Sequence, residues 1–344
     1  MKIEEILEKL CAASGVSGAE DEACRTAVTL LKRYDENAYT DKYGCVHAFI
    51  GDKNDGRPVV MLEAHIDEIG FIVTYIDEHG FLKVGKCGGT DDRLYAAQTV
   101  TVHGENGNIS GVVCTLPPHV SSESGKTMKV GDICIDTGFG SREEALKHVS
   151  QGDRVTIDAP LTKLCGTRFT SKALDNRAGA AAVIYALELL KDKALPVGIE
   201  ILFASQEETG ERGAIIGAFG SDARTAIAVD TSFAFISDEK KHECGEMGKG
   251  VMIGISPSLD RKLSGLLKNI AAENGIPFQP EVMEGRTGTD ADAISVSKGG
   301  IPTGLLSIPI KYMHTPVEVA DTEDIKAVSR LIADFITGGA AENV

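Results

Sequence analysis

Apolar runs of strand length alternate with amphipathic segments of helix length at both ends of this chain. Between about residues 68 and 167, short strands instead follow one another with one weak helix signal. Alternation of strands and helices argues for a mainly parallel sheet with helices on both faces. Short strands at close spacing argue for a small β-barrel or sandwich. The sequence therefore predicts an α/β fold interrupted by a β-barrel-like insertion. Residues 1–67 and 168–344 would form a discontinuous α/β domain, and residues 68–167 the insertion.

The first segment places Ile3, Ile6, Leu7, Leu10 and Cys11 on one stripe, as an amphipathic helix does. Ser17-Gly-Ala-Glu20 has the spacing of a capping box and predicts a second helix running to about Tyr34. Strands are expected at 45–50 and 58–64, separated by the turn Asn54-Asp55-Gly56. Within the insertion, strands are expected at 71–76, 81–84, 98–103, 108–114, 132–136 and 154–157, with a helix at 142–149. Beyond Thr170, helices are expected at 177–191, 213–219, 260–273 and 322–336, and strands at 198–204, 226–229, 251–255 and 301–308.

The charge balance is 35 basic against 51 acidic residues, a net −16, and no lysine- or arginine-rich stripe offsets it. Such a field repels nucleic acid and favours bound divalent cations. No apolar run has the length of a membrane span, and no signal peptide precedes the first helix. A cytoplasmic protein is expected, with no membrane or nucleic-acid partner. Its eight cysteines are scattered without a C-x-x-C pair, so each is read as a small buried apolar residue.

Residues able to bind metal recur where apolar strands stop. The run 59–62 leads into His65 and Asp67, 199–203 into Glu207 and Glu208, 226–229 into Asp230, and 305–310 into His314; Asp175 precedes the helix starting near Arg177. In an open α/β sheet, ligands bind at the carboxyl ends of the strands. His65 and Asp67 are two apart and share a face if extended, so Asp67 or a neighbouring group could orient the imidazole. Glu207 and Glu208 are adjacent and leave the backbone in different directions. One could bind metal while the other reaches a water molecule. Asp175 could bridge two metals, and mixed histidine and carboxylate donors suit zinc, cobalt or manganese better than calcium.

Taken singly, each of these residues has a commoner structural role. A lone histidine is usually a satisfied core residue, a Glu-Glu pair a solvated face, and an aspartate at a strand end a turn former. The recurrence at one type of edge is what favours a site. Neither Gly85–Gly89 nor Gly299-Gly300 forms a phosphate-binding loop. Neither Ser121-Ser122 nor Ser171 lies in a nucleophile elbow, which disfavours a serine hydrolase.

The motifs Ala64-His-Ile-Asp-Glu-Ile-Gly-Phe71, Ala173-Leu-Asp-Asn-Arg-Ala-Gly179, Gln206-Glu-Glu-Thr-Gly210, Val229-Asp230 and Tyr312-Met-His-Thr-Pro316 resemble the tetrahedral aminopeptidases. That group includes glutamyl, leucyl and deblocking aminopeptidases, and some members carry the label cellulase M. Pro117-Pro-His119 and Gly288-Thr-Asp290 also fit the family. The resemblance implies two divalent metal ions per subunit, zinc first and cobalt or manganese next. His65, Asp175 and Asp230 would hold one ion, and Asp175, Glu208 and His314 the other. Glu207 would be the general base and Asp67 the residue orienting His65. The substrates would be peptides with a free N-terminus, cleaved by a metal-bridging hydroxide. The insertion would help assemble dimers into a hollow dodecamer. Lys311 stands where arginine is expected in many relatives, so nearby substrate contacts transfer less well. The alternatives are a related di-zinc deacylase or dipeptidase, an endoglucanase as the cellulase label implies, and a non-catalytic assembly protein.

Overall fold

The structure is a computed structural model and describes residues 1–53, 55–114, 129–237 and 243–338. Asn54 of the expected turn, Pro117-Pro-His119, Ser121-Ser122 and His242 lie outside these residues. Among the described residues an eight-stranded sheet forms the centre. Its order is β1 (Tyr39–Thr40), β2 (Val46–Ile50), β12 (Gly198–Ala204), β3 (Val59–His65), β13 (Thr225–Phe233), β16 (Thr303–Ile310), β14 (Val251–Ile255) and β15 (Phe278–Val282). The four strands β12, β3, β13 and β16 run parallel. Their carboxyl ends therefore open on one edge.

Alternation along β3 separates two cores. Val60, Leu62 and Ala64 face α1 (Ile3–Ala12), α2 (Asp21–Leu31), α4 (Leu174–Leu190), α6 (Arg261–Glu273) and α8 (Thr322–Thr337). Met61 faces the other way, with α5 (Arg212–Gly220) and α7 (Asp290–Ser295). Glu63 and His65 share the side of Met61, because successive side chains in a strand alternate. They point toward α7, away from the main core.

After β3 the chain leaves the sheet for a closed six-stranded barrel, in the order β4 (Gly70–Ile76), β5 (Leu82–Cys87), β8 (Cys134–Asp136), β7 (Gly107–Cys114), β6 (Thr99–Gly104) and β9 (Arg154–Ile157). Inward residues such as Val73, Val84, Val102, Ile135 and Val155 fill it, and Tyr95 packs edge-on against Phe71 with ring centres 4.7 Å apart. The expected helix at 142–149 is the short α3 (Arg142–Ala145), capped by Ser141. A small antiparallel sheet of β10 (Thr162–Lys163), β11 (Arg168–Ser171) and β17 (Glu318–Asp321) leads back to the central layer.

The structure departs from the sequence reading in several places. The box at Ser17–Glu20 does not cap α2: Ser17 Oγ pairs with Thr209 Oγ1 at 2.8 Å, and Glu20 receives the backbone N–H groups of Gly18 and Gln206. Long-range partners outcompete the local cap. The strand β15 escapes a hydrophobic pattern because it carries Gln279, Pro280 and Glu281, which an edge strand tolerates. Cys11, Cys24, Cys45 and Cys87 are buried as expected, but Cys114, Cys134 and Cys244 are half-buried and Cys165 is exposed. None of the eight is in a disulfide. No helix among the described residues is long and apolar enough to cross a membrane.

One buried ion network ties these layers together. Glu68, just after β3, accepts two bonds from Lys172 Nζ at 2.7 and 2.8 Å and one from the Gly15 N–H at 3.0 Å. Arg177 Nη2 of α4 lies 3.6 Å from the same carboxylate, while its Nη1 donates to the carbonyls of Leu10 and Ala13 at the end of α1. Removing one partner of a buried pair strands the others. Glu68→Ala is expected to cost about 3–5 kcal/mol in denaturant unfolding; a loss within about 0.5 kcal/mol would show that the network carries no such role.

Candidate metal centre

The strand ends and one helix start bring His65, Asp175, Glu207, Glu208, Asp230 and His314 to a single cavity, with Asp67 buried behind them. His65 closes β3, Glu207 and Glu208 follow β12, Asp230 lies within β13, and His314 follows β16. Asp175 sits at the start of α4, where it and Asn176 depart from helical dihedrals. The regular helix therefore begins near Arg177. Asn176 fixes that start: its Nδ2 donates to the Val229 carbonyl at 2.7 Å, and its Oδ1 accepts from the Gly179 N–H at 3.0 Å. A Cβ at Gly179 would lie 2.2 Å from Asn176 Oδ1, so glycine is required for this close approach.

The two imidazoles share Asp175. His65 Nε2 lies 3.3 Å from Asp175 Oδ1, 3.7 Å from Asp230 Oδ1 and 3.9 Å from Glu207 Oε2. His314 Nε2 lies 3.1 Å from Asp175 Oδ2 and 3.2 Å from Glu208 Oε1. Three overlapping triads result, with donor atoms mutually within 4.8 Å in each: His65–Asp175–Asp230 and Asp175–Glu208–His314, which share Asp175, and His65–Glu207–Glu208. Asp67 is fully buried; its Oδ1 lies 3.4 Å from His65 Nδ1, and its two oxygens accept the N–H groups of Glu207 and Glu208 at 3.0 and 3.2 Å. It braces the glutamate turn as well as facing the histidine. Gln206 and His314, on the turns that carry these groups, both adopt left-handed backbone conformations. Such strain collects at functional sites.

A family model described as M42 glutamyl aminopeptidase matches residues 44–331. The chain belongs to this family. A lysyl aminopeptidase of Pyrococcus furiosus is 35% identical over 95% of this chain and 94% of its own length. Among solved structures, an aminopeptidase of the archaeon Desulfurococcus kamchatkensis is 33% identical with a TM-score of 0.91, covering 97% of this chain and 94% of that one. The TET1 peptidase of Pyrococcus horikoshii, which can assemble into a tetrahedron or a large octahedral shell, is 32% identical with a TM-score of 0.86, covering 97% and 99%.

The residues of this M42 chain fit the metal ions that the family implies. Burial pushes the Asp230 carboxyl well above its usual range and raises those of Glu208 and Glu207, the last to about 8. Burial alone would lower the imidazoles, but hydrogen bonds to Asp175 and its neighbours carry His65 well above the usual range and His314 to about 11. Asp175 is held low against burial by both imidazoles. Protonated imidazoles thus supply positive charge to a carboxylate cluster that no lysine or arginine lines among the described residues. The donors are nitrogen and carboxylate oxygen, which suits zinc, cobalt or manganese.

Three buried carboxyls near the centre escape the sequence reading. Glu318 Oε2 accepts the Asp175 N–H at 3.0 Å and its Oε1 the His314 N–H at 2.8 Å, bracing the two triads that share Asp175. Glu63 and Asp290 pair behind His65 and Glu207. Burial lifts Glu63 to about 8 and Asp290 well above its range, and each acts on the other. Both Asp290 oxygens and Glu63 Oε1 are buried and meet no hydrogen-bond donor among the described residues. Glu63 reads as a polar interruption in an apolar strand, and the motif Gly288-Thr-Asp290 marks its partner without revealing a role.

Glu20 supports the same turn through Gln206 and carries a testable pH signature. Burial lifts its carboxyl from 4.5 to about 7, against hydrogen bonds from the Gly18 backbone. The folded state therefore holds this proton more tightly than the unfolded chain, and stability falls as pH rises between about 4.5 and 7. Glu20→Gln is expected to flatten that part of the stability–pH curve, measured by urea unfolding across the window. An unchanged slope would contradict the assignment.

Proposed function

We propose that this chain is a two-metal aminopeptidase that removes N-terminal residues from peptides, with Glu207 as general base. The observation that carries this reading is the pair of triads sharing Asp175, with the Glu207 carboxylate beside them. His65, Asp175 and Asp230 would hold one divalent ion, and Asp175, Glu208 and His314 a second. Zinc suits these donors, with cobalt and manganese as alternatives. When bound, such ions polarise a scissile carbonyl and make a water molecule more acidic.

The chain's own groups do the rest. Glu207 takes a proton from the attacking water and returns it to the leaving amine, as a general acid–base group does. Burial raises its proton affinity, which favours the uptake step. Asp67 holds Glu207 and Glu208 through their N–H groups and orients His65, while Glu318 fixes the backbone of Asp175 and His314. The low exposure of His65, Asp175 and Asp230 keeps competing water away.

Residues 68–167 form the inserted unit in this reading, which includes the barrel, and the subunits assemble through dimers into a dodecamer. A relative of known structure that forms a dodecamer supports the assembly. Eight cysteines without a disulfide suit a reducing cytoplasm. A di-zinc deacylase or dipeptidase would use the same ligands, and an endoglucanase would give the two imidazoles no work.

Aminoacyl-nitroanilides and N-acyl amino acids separate these activities. Metal-supplied protein is expected to cleave the nitroanilides and to ignore the same compounds once their amine is acetylated. Glu207→Gln is expected to lower kcat by about 10²–10⁴-fold while the protein still binds its metal. Full activity in that variant would remove Glu207 from the role of base.

A further inference from the structure

The cavity around the candidate metal centre is about 470 Å³ and extends past Asp230 toward the edge of the sheet. There its wall includes Ser232, Phe233, Glu281, Ser307 and Met313. Glu281 comes from the edge strand β15, in register with Gly254 of β14. Ser307 of β16 stands opposite Asp230 of β13, and its hydroxyl donates to Glu281 Oε2 at 2.6 Å. Ser232, two residues beyond Asp230 and so on the same side of β13, lines the cavity beside it. A hydroxyl on the strand next to a candidate metal ligand thus holds the Glu281 carboxylate.

Charge indicates its purpose. Asp175, Glu207, Glu208, Asp230 and Glu281 all line the cavity, and no lysine or arginine does so among the described residues. Two divalent ions would offset the first four of these charges. Glu281 would remain, a half-buried carboxylate that burial pushes upward and that no basic side chain among the described residues pulls back. A partly buried carboxylate held by a neutral hydroxyl keeps its charge uncompensated, and a ligand that supplies the opposite charge gains from it.

We propose that Glu281 is the specificity-determining group of this cavity and that the preferred substrates begin with a cationic residue, lysine or arginine. The proposal rests on the aminopeptidase reading. Ser307 lies on the strand next to Asp230, about 4.8 Å away; the Glu281 carboxyl reaches back over β14 to the Ser307 hydroxyl, and a lysine side chain reaches about 6 Å from Cα to its ammonium. A residue whose scissile bond lies by the Asp230 end can therefore bring its ammonium to Glu281. Phe233 and Met313 offer apolar surface for the methylene stem. A leucine would leave Glu281 desolvated and without a cation, and a glutamate would be repelled.

The test compares kcat/KM for lysyl-, arginyl-, leucyl- and glutamyl-nitroanilides on the full chain supplied with zinc. A second readout is calorimetric binding of free L-lysine and L-norleucine. Lysine and arginine are expected to exceed leucine by about 10-fold or more, and Glu281→Gln to lower the lysine-to-leucine ratio by about 10–100-fold. L-lysine is expected to bind more tightly than L-norleucine, with the difference lost in the variant. A preference for leucine or glutamate, or an unchanged ratio in the variant, overturns the proposal. No turnover on any nitroanilide would remove the aminopeptidase reading; equal binding of the two amino acids would then separately remove the role of Glu281.

Discussion

Like charges repel strongly once water is excluded, and this pocket gathers them. Two unit charges 4 Å apart interact by about 4 kcal/mol even at an effective dielectric of about 20. Asp175, Glu208 and Asp230 nevertheless converge with Glu207 around two imidazoles, and Glu63, Asp290 and Glu318 lie close behind. Positive charge must enter such a cluster for it to persist. In the protein alone, protons on His65 and His314 meet part of the demand; divalent ions would meet it more fully.

The fold bears that cost by mounting each group on a rigid element. Four parallel strands end at one edge, and α4 begins there with Asp175 held by Asn176 and Gly179. The turns carrying the glutamates and His314 are then fixed by other carboxylates, Asp67, Glu20 and Glu318, acting on backbone N–H groups. Anchoring through backbone donors leaves the side chains of Glu207, Glu208 and His314 facing the cavity. The ion network around Glu68 ties this edge to the first helix and to the strand that returns from the barrel.

Much of this was legible because strands announce themselves by apolar runs and the reactive residues follow directly after them. His65, Glu207, Glu208, Asp230 and His314 could be placed at one type of edge without coordinates, and all six barrel strands followed from alternation and turn residues. Convergence itself was not legible, since periodicity carries no distance between strands. Local pattern misled at Ser17–Glu20, where two residues with capping spacing are drawn instead to Thr209 and Gln206. It was silent at β15, whose Gln279-Pro280-Glu281 run has no apolar stripe and owes its strand to pairing with β14. Glu63 and Asp290 stayed hidden because a buried acid in a strand or loop looks like a solvated one until its partner is known.

Asp175 belongs to both proposed metal triads, so two ions held there would depend on one side chain. Metal analysis after equilibrium dialysis against zinc tests that dependence most directly, on the wild type and Asp175→Ala side by side with circular dichroism confirming that both are folded. Two tightly held ions per chain are expected in the wild type, and loss of both in the variant. Two ions retained by a folded Asp175→Ala protein would contradict that dependence.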